Sequence, residues 1–299
     1  MFNKLSLLAV LGLMVTVISS CGVRTETNYY YYSPSWTRGG ALIFIGATDS
    51  VEKDILGSQL SSTYSEWVKT IYPSGTGESS VLFDSSGNPP YAMTCSPTGD
   101  YVAYGNDLRS GLYRTLVIRN ISSGTHTGME LTELAFNPGV VAFDWSSDGT
   151  KLVYCTSTEV RTVGTDGSND TLVTAEANLA DVTWKYGNRI AFVRASGGSK
   201  LLSLIRDNGT NRTDLSSSES VDLPQISASN ADEIYGVSSG DLVMVDVGGV
   251  PARSVIKADF PGVLPRLSPD AATLTYSKSS ESTGIYVLNI ATGAETKVK

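Results

Sequence analysis

The sequence predicts an all-β protein, a six-bladed β-propeller of four-stranded antiparallel blades spanning residues 34–299. Three observations carry this prediction. An apolar anchor, a tight turn and an alternating run recur six times. A second hairpin signal, a short apolar strand ended by a glycine turn, keeps step with the first. The composition leans to strand and turn, with 17% charged residues, 29 Gly and 15 Tyr.

The segment ahead of the blades has a different character. "MFNKLSLLAVLGLMVTVISSC" carries one early cation, Lys4, and an apolar run from Leu5 to Val17. That run is short for a bilayer span and suits the core of a signal peptide. Ile18, Ser19, Ser20 and Cys21 resemble the lipobox of bacterial lipoproteins: a branched apolar residue, two small ones, then the cysteine that is lipidated and becomes the first residue. Residues 1–20 therefore read as a lipoprotein signal peptide, and residues 21–33 as the lipidated Cys21 and a tether. The expected location is a bacterial cell envelope, with the membrane contacted through the N-terminal lipid. Gly22 after the cysteine favours the outer membrane, on its periplasmic or surface side, in a Gram-negative host. Removing residues 1–20 takes away Lys4 and leaves 21 basic against 30 acidic residues, a net charge of −9. So acidic a chain repels phosphate backbones, which argues against a nucleic-acid partner. Within the tether stands Tyr29 to Tyr32, which reads equally as an extra strand, a sticky surface patch or packing against the first blade.

The blades follow in order. "PSWTRGGALIFIG" begins at Pro34, "AMTCSPTGDYVAYG" at Ala92, "FDWSSDGTKLVYCT" at Phe143, "DVTWKYGNRIAFV" at Asp181, "LPQISASNADEIYG" at Leu223 and "LPRLSPDAATLTYS" at Leu264. Aligned, the apolar anchors are Trp36, Cys95, Trp145, Trp184, Ile226 and Leu267, spaced by 59, 50, 39, 42 and 41 residues. Each anchor closes one strand, and a turn such as Ser-Ser-Asp-Gly at 146–149 reverses the chain. Asp bonds its own backbone there, and Gly takes the left-handed conformation. Period-two alternation follows, as in Leu152, Val153 and Tyr154. The second signal has its turn glycines at Gly75, Gly124, Gly167, Gly209, Gly249 and Gly293, 40 to 49 residues apart. Four strands in about 40–50 residues is the period of a propeller blade.

The pattern P-x-W-S-P-D-G-x-x-[IL]-x-[FY] resembles the propeller repeat of the TolB family, called WD40-like or PD40. The second, third and sixth copies match well, the fourth and fifth are degenerate, and the first lacks the Asp of the turn. The resemblance implies a TolB-like six-bladed propeller. It does not extend to TolB as a whole, since no α/β segment is read ahead of the blades.

A search for chemistry yields little. The single His, His126, sits beside a turn glycine, which leaves a Ser-His-Asp arrangement without a base. No G-x-S-x-G elbow occurs. "DGSND", Asp166 to Asp170, spaces its oxygens like a calcium loop but lacks the required Gly and Glu and coincides with a hairpin turn. Trp36, Trp145 and Trp184 read as core between blades rather than sugar platforms. Cys95 and Cys155 fall in predicted strands and read as buried thiols, with a disulfide the alternative in an oxidising envelope. No catalytic, metal-binding or cofactor-binding residue is assigned.

The expected function is therefore a non-catalytic scaffold that binds an envelope protein partner. The alternative is a glycan-binding or glycan-cleaving propeller, a hydrolase or lyase with an axial carboxylate site. An enzyme would gather Asp, Glu, Tyr or Arg near the axis. Irregular length concentrates in Ala47 to Trp67 and in the link from Leu131 to Phe143, which should emerge on one face. Val51, Ile55, Leu56 and Leu60 have helix-like spacing, so a short helix on that face is expected. Asp49, Glu52, Asp54 and Trp67 are the candidate binding residues.

Overall fold

The computed structural model describes residues 14–17, 24–37, 39–54, 57–83, 92–109, 112–121, 129–130, 139–197, 199–216, 220–227, 230, 232–278 and 281–299. Every regular element among them is a strand. Blade one contains β1 (Met14–Val17), β2 (Arg24–Trp36), β3 (Leu42–Lys53), β4 (Gln59–Ile71) and β5 (Ser79–Phe83), adjacent in that order. Blade two is β6 (Ala92–Cys95), β7 (Tyr101–Arg109), β8 (Leu112–Asn120) and β9 (Met129–Glu130). Blade three is β10 (Ala142–Trp145), β11 (Lys151–Cys155), β12 (Glu159–Gly164) and β13 (Thr171–Ala175). Blade four is β14 (Leu179–Tyr186), β15 (Arg189–Ser196), β16 (Ser199–Arg206) and β17 (Thr213–Asp214). Blade five is β18 (Asp222–Ile226), β19 (Glu233–Ser238), β20 (Asp241–Asp246) and β21 (Ala252–Lys257). Blade six is β22 (Gly262–Leu267), β23 (Thr273–Lys278), β24 (Glu281–Asn289) and β25 (Glu295–Lys297). All neighbouring strands pair antiparallel.

The core is not one mass but six apolar wedges, each between adjacent sheets. The wedge between blades two and three holds Leu116, Ile118, Phe143, Trp145, Leu152 and Tyr154. The wedge closing blade six onto blade one holds Trp36, Leu42, Phe44, Ile71, Ile285 and Val298. Each predicted anchor is buried: Cys95, Trp145, Trp184, Ile226 and Leu267 in the first strand of their blades, and Trp36 in β2, because blade one carries a fifth strand, β1, ahead of the four expected. No strand is exchanged at the closure, because each blade draws its strands from its own repeat. The indole Nε1 of Trp36 donates to Arg266 O of blade six at 3.2 Å and locks the ring. Cys95 and Cys155 are buried thiols in β6 and β11 and form no disulfide.

Turn chemistry matches the sequence in most blades. Gly40, Gly99, Gly149, Gly167, Gly209 and Gly293 have positive φ, whereas Gly249 does not, so the fifth blade reverses by a different turn. Gly124, His126 and the link segment 131–138 lie outside the described residues.

Two expectations need correction. The segment expected to carry a short helix is instead the far half of a long hairpin at its described positions, Val51 and Leu60 included, while Ile55 and Leu56 lie outside the described residues. Ala47 to Glu52 pair with Glu66 to Ser61, and Asp54 N donates to Ser58 O across the tip. Residues such as Thr48, Val51, Thr63 and Tyr64 favour strand, an existing hairpin only has to be continued, and Gly57 at φ +88° makes the turn. The tether is likewise, from Arg24 onward, a paired strand: Arg24 to Tyr32 pair with Lys53 to Ile45. Tyr29 to Tyr32 thus belong to β2, and Tyr31 packs edge-on against Phe44 at 5.9 Å. Together, residues 24–31, 46–53 and 59–67 form an arm that continues the blade-one sheet past the disc.

Candidate functional site: the inner seam and the blade-one arm

The strand that carries each anchor is the inner edge of its blade within the disc, and an inner edge leaves backbone groups outside the ladder. The residue preceding each anchor addresses this need. Those residues are Ser35, Thr94, Asp144, Thr183, Gln225 and Arg266, polar in every blade. Two anchors, Trp36 and Trp145, bond back to the preceding blade, and two of the polar neighbours, Ser35 and Asp144, reach forward to the next. Trp145 Nε1 donates to Thr94 O at 3.1 Å, the counterpart of the Trp36 bond across the closure. Cys95 N donates to Ser35 Oγ at 3.1 Å. Asp144 Oδ2 accepts from Trp184 N at 3.3 Å and from Thr183 Oγ1 at 2.6 Å. Trp184 departs from the pattern, its indole donating within its own blade to Gly187 O at 3.0 Å.

This seam gathers charge between blades three and six. Asp181, two residues before Thr183 on β14, accepts from Val182 N at 2.8 Å. Burial pushes its carboxyl up to about 7; the charge of Arg266 and the Val182 N–H oppose the rise, and Asp144 and Asp222 add to it. Asp222 pairs with Lys200 at 2.8 Å. Asp144 is 1% exposed, and its Oδ1 has no hydrogen-bond partner among the described residues; the same holds for Thr94 Oγ1 and Arg266 Nε. An acceptor, a hydroxyl and a guanidinium donor therefore face the inner seam with capacity to spare. The sequence reading missed these residues. Their signal, one polar residue before every anchor, was present but hidden by aligning on the apolar position.

The sequence-predicted binding residues lie elsewhere, along the arm, and do not converge. Asp49 sits in β3 opposite Tyr64. Glu52 accepts from Ser61 Oγ at 2.9 Å. Asp54 Oδ1 accepts from Ser58 N at 2.8 Å and shapes the tip turn. Trp67 lies at the arm's root, its ring so close over Gly46 that a Cβ there would meet Nε1 at 2.5 Å. Lys69 Nζ stands 5.0 Å from the same ring.

The carboxylates of "DGSND" are engaged in structure. Asp166 Oδ1 caps Ser168 through N at 3.0 Å, and Asp170 accepts from the buried Tyr154 hydroxyl at 3.0 Å and from Arg161 Nε at 3.0 Å. No group of three or more His, Cys, Asp or Glu positioned for a metal ion occurs among the described residues.

No family model matches the sequence, and no curated protein matches it. Solved structures do match its shape. TolB from Acinetobacter baumannii superposes with a TM-score of 0.60 at 12% identity, over 91% of this chain and 79% of that one. A chain of a nidogen/laminin complex gives 0.58 at 10% identity, over 90% and 92%. An oligogalacturonate lyase in complex with manganese gives 0.55 at 13% identity, over 96% and 84%. At such identities the likeness, to TolB among others, establishes the propeller fold and nothing finer.

Proposed function

We propose that this chain is a non-catalytic scaffold of a bacterial envelope, held at the membrane through a lipid on Cys21 and offering its disc to another envelope protein. The observation that carries the reading is the use made of the seam: Asp144, the most buried carboxylate of the axial region, ties blade three to Thr183 and Trp184 of blade four. Its first role is structural, and a stiff disc suits presentation of a surface. Crosslinking the lipidated protein in membranes should recover one defined envelope protein. Recovery should survive Asp181→Asn. Recovery no better than with an unrelated lipoprotein would overturn the proposal.

One observation favours the alternative, a glycan-binding or glycan-cleaving propeller. A carboxyl that holds its proton near neutrality, beside a second carboxylate and an arginine, is the raw material of acid–base chemistry. Release of sugar fragments by the purified protein, abolished by Asp181→Asn, would establish that reading.

A further inference from the structure

We infer that the blade-one arm is a stiff stalk whose tip meets the bilayer, so that the disc stands off the membrane with its strand 1–2 turns facing away. This rests on the reading of Cys21 as the lipid anchor. The geometry follows from where β2 begins. Arg24, its first residue, pairs with Lys53, the last residue of β3, immediately before the tip turn closed by Asp54 N to Ser58 O and Gly57 N to Asp54 O. The chain leading from Cys21 therefore enters the fold at the arm's tip, not at the disc. Two residues, Gly22 and Val23, separate Cys21 from Arg24, and the three chain steps reach at most about 11 Å. The arm runs seven steps from Gly46 to Lys53, about 23 Å at strand rise. A lipid at Cys21 thus holds the tip close to the headgroups, and the connecting chain is too short to let an upright arm's disc touch them.

The arm is built to keep that distance. β1 pairs with Arg24 to Thr27 at the outer edge of β2 and would be lost with the signal peptide; the three strands that remain pair along their length, with one register shift, between Glu52 and Lys53 at the tip end of the β3–β4 ladder. Rungs across it are Thr27 Oγ1 with Ser50 Oγ at 3.0 Å, Ser61 Oγ to Glu52 at 2.9 Å and Lys53 Nζ to Glu26 at 2.5 Å. Its root is pinned by Trp67 over Gly46 and by Tyr31 against Phe44. Its exposed positions, among them Arg24, Glu52, Ser58, Gln59 and Ser61 to Thr63, are polar apart from Leu60, as suits a stalk standing in water. Near the tip, Arg24 and Lys53 share Glu26, at 3.5 and 2.5 Å, and the Arg24 side chain is half-exposed. The turns joining first and second strands, such as Ser146 to Lys151, end the blades on the opposite face.

The test uses the lipidated full chain in vesicles of phosphatidylethanolamine and phosphatidylglycerol. Single cysteines, S58C at the tip and S147C on the far turn, take a fluorophore; the buried Cys95 and Cys155 stay unlabelled. Lipids with a headgroup-level spin label should quench S58C several-fold more than S147C. Deleting Thr25, Glu26, Val51, Glu52, Ser61 and Ser62, one two-residue step from each of the three strands, should bring a disc fluorophore about 7 Å nearer a bilayer dye. Equal quenching at both sites, or stronger quenching at S147C, in protein that takes up a palmitate analogue overturns the stalk alone. Failure of Cys21 to take up that analogue overturns the anchor, and the stalk with it.

Discussion

Blade three and the blade-one arm are both antiparallel ladders, yet different forces specify them. In blade three, Phe143, Trp145, Leu152 to Cys155, Val160 and Val163 are buried, and each side chain is aimed into a wedge shared with a neighbour. Slipping one strand by a residue would turn these groups out of their wedges. In the arm, Gln59 to Thr63 are exposed and Asp49 to Lys53 only partly covered. There the ladder itself and a few hydroxyl and ionic rungs set the register. Burial dictates the disc; continuity with a buried blade dictates the arm. A large functional element can therefore be added at little cost to the core.

The sharpest way to break the comparison is to remove a wedge. Trp145 is fully buried, its indole donates to Thr94 O, and Tyr101 packs beside it at 6.2 Å. Trp145→Ala opens a cavity and leaves a carbonyl without its donor, so stability should fall by about 3–5 kcal/mol in urea denaturation. A loss below about 1 kcal/mol would mean that the wedges do not hold the disc.

That asymmetry also governed what could be read from the sequence. The six anchors were legible because burial forces an apolar residue at one place in every repeat. Most turns were legible because positive φ demands Gly, but the Gly249 turn proved that a glycine in step is not always a left-handed one. The polar residues before the anchors were legible in principle, since an inner edge has backbone groups to satisfy. The arm was not legible. With water on both faces it has no apolar alternation, and Val51, Ile55, Leu56 and Leu60 fell by chance at helical spacing. What a solvated two-sided ladder leaves in sequence is only its Thr, Ser and Tyr content, here misread as irregular loop and tether.

Next in size is a change that should strengthen the disc. Asp181 has its carboxyl raised to about 7, against about 3.9 in an unfolded chain. The folded state therefore holds the proton more tightly, and stability falls as pH rises from about 4 to 7. Above that the burden is constant. Asp181→Asn keeps an acceptor for Val182 N–H and removes the charge. We expect it to raise stability at pH 8 by about 2 kcal/mol; a tenfold difference in proton affinity corresponds to ~1.4 kcal/mol, and the partial exposure of the side chain reduces the total. The gain should vanish at pH 4. An equal effect at both pH values would show that charge at the seam is not the cause.

A smaller gain is available in blade six, where one turn position breaks the rule that blade three obeys. Ser268 Oγ donates to Asp270 Oδ1 at 2.6 Å and Ala271 N to Ser268 O at 2.9 Å, matching Ser146, Asp148 and Gly149. Yet Ala271 sits at φ +57° where blade three has Gly149 at +69°. An L side chain is strained there. Ala271→Gly should stabilise the protein by about 1 kcal/mol, the relief exceeding the added freedom of the unfolded chain. Gly149→Ala should destabilise by more than that, because its Cβ would also meet Thr98 Cγ2 at 2.9 Å. Thermal melts of the two variants should move in opposite directions.

The smallest effect belongs to the arm. Replacing residues 49–64 with a short Gly-Ser turn removes the Thr27–Ser50 bond, the Lys53–Glu26 ion pair and the Ser61–Glu52 and Asp54–Ser58 contacts. The first two are part-buried, the others are exposed, and none lies in a wedge between blades. The groups they release rehydrate, and such bonds contribute little net stability. Gly46, Trp67 and Tyr31, which pin the root, are retained, so β3 and β4 should still close on β2. The unfolding free energy should stay within about 0.5 kcal/mol of the parent chain, as for most surface changes. The denaturant slope should fall only slightly, because little apolar area goes with the arm. A loss above about 1 kcal/mol would place the arm within the cooperative unit of the disc, and the division between a buried ring and an appended ladder would then be wrong.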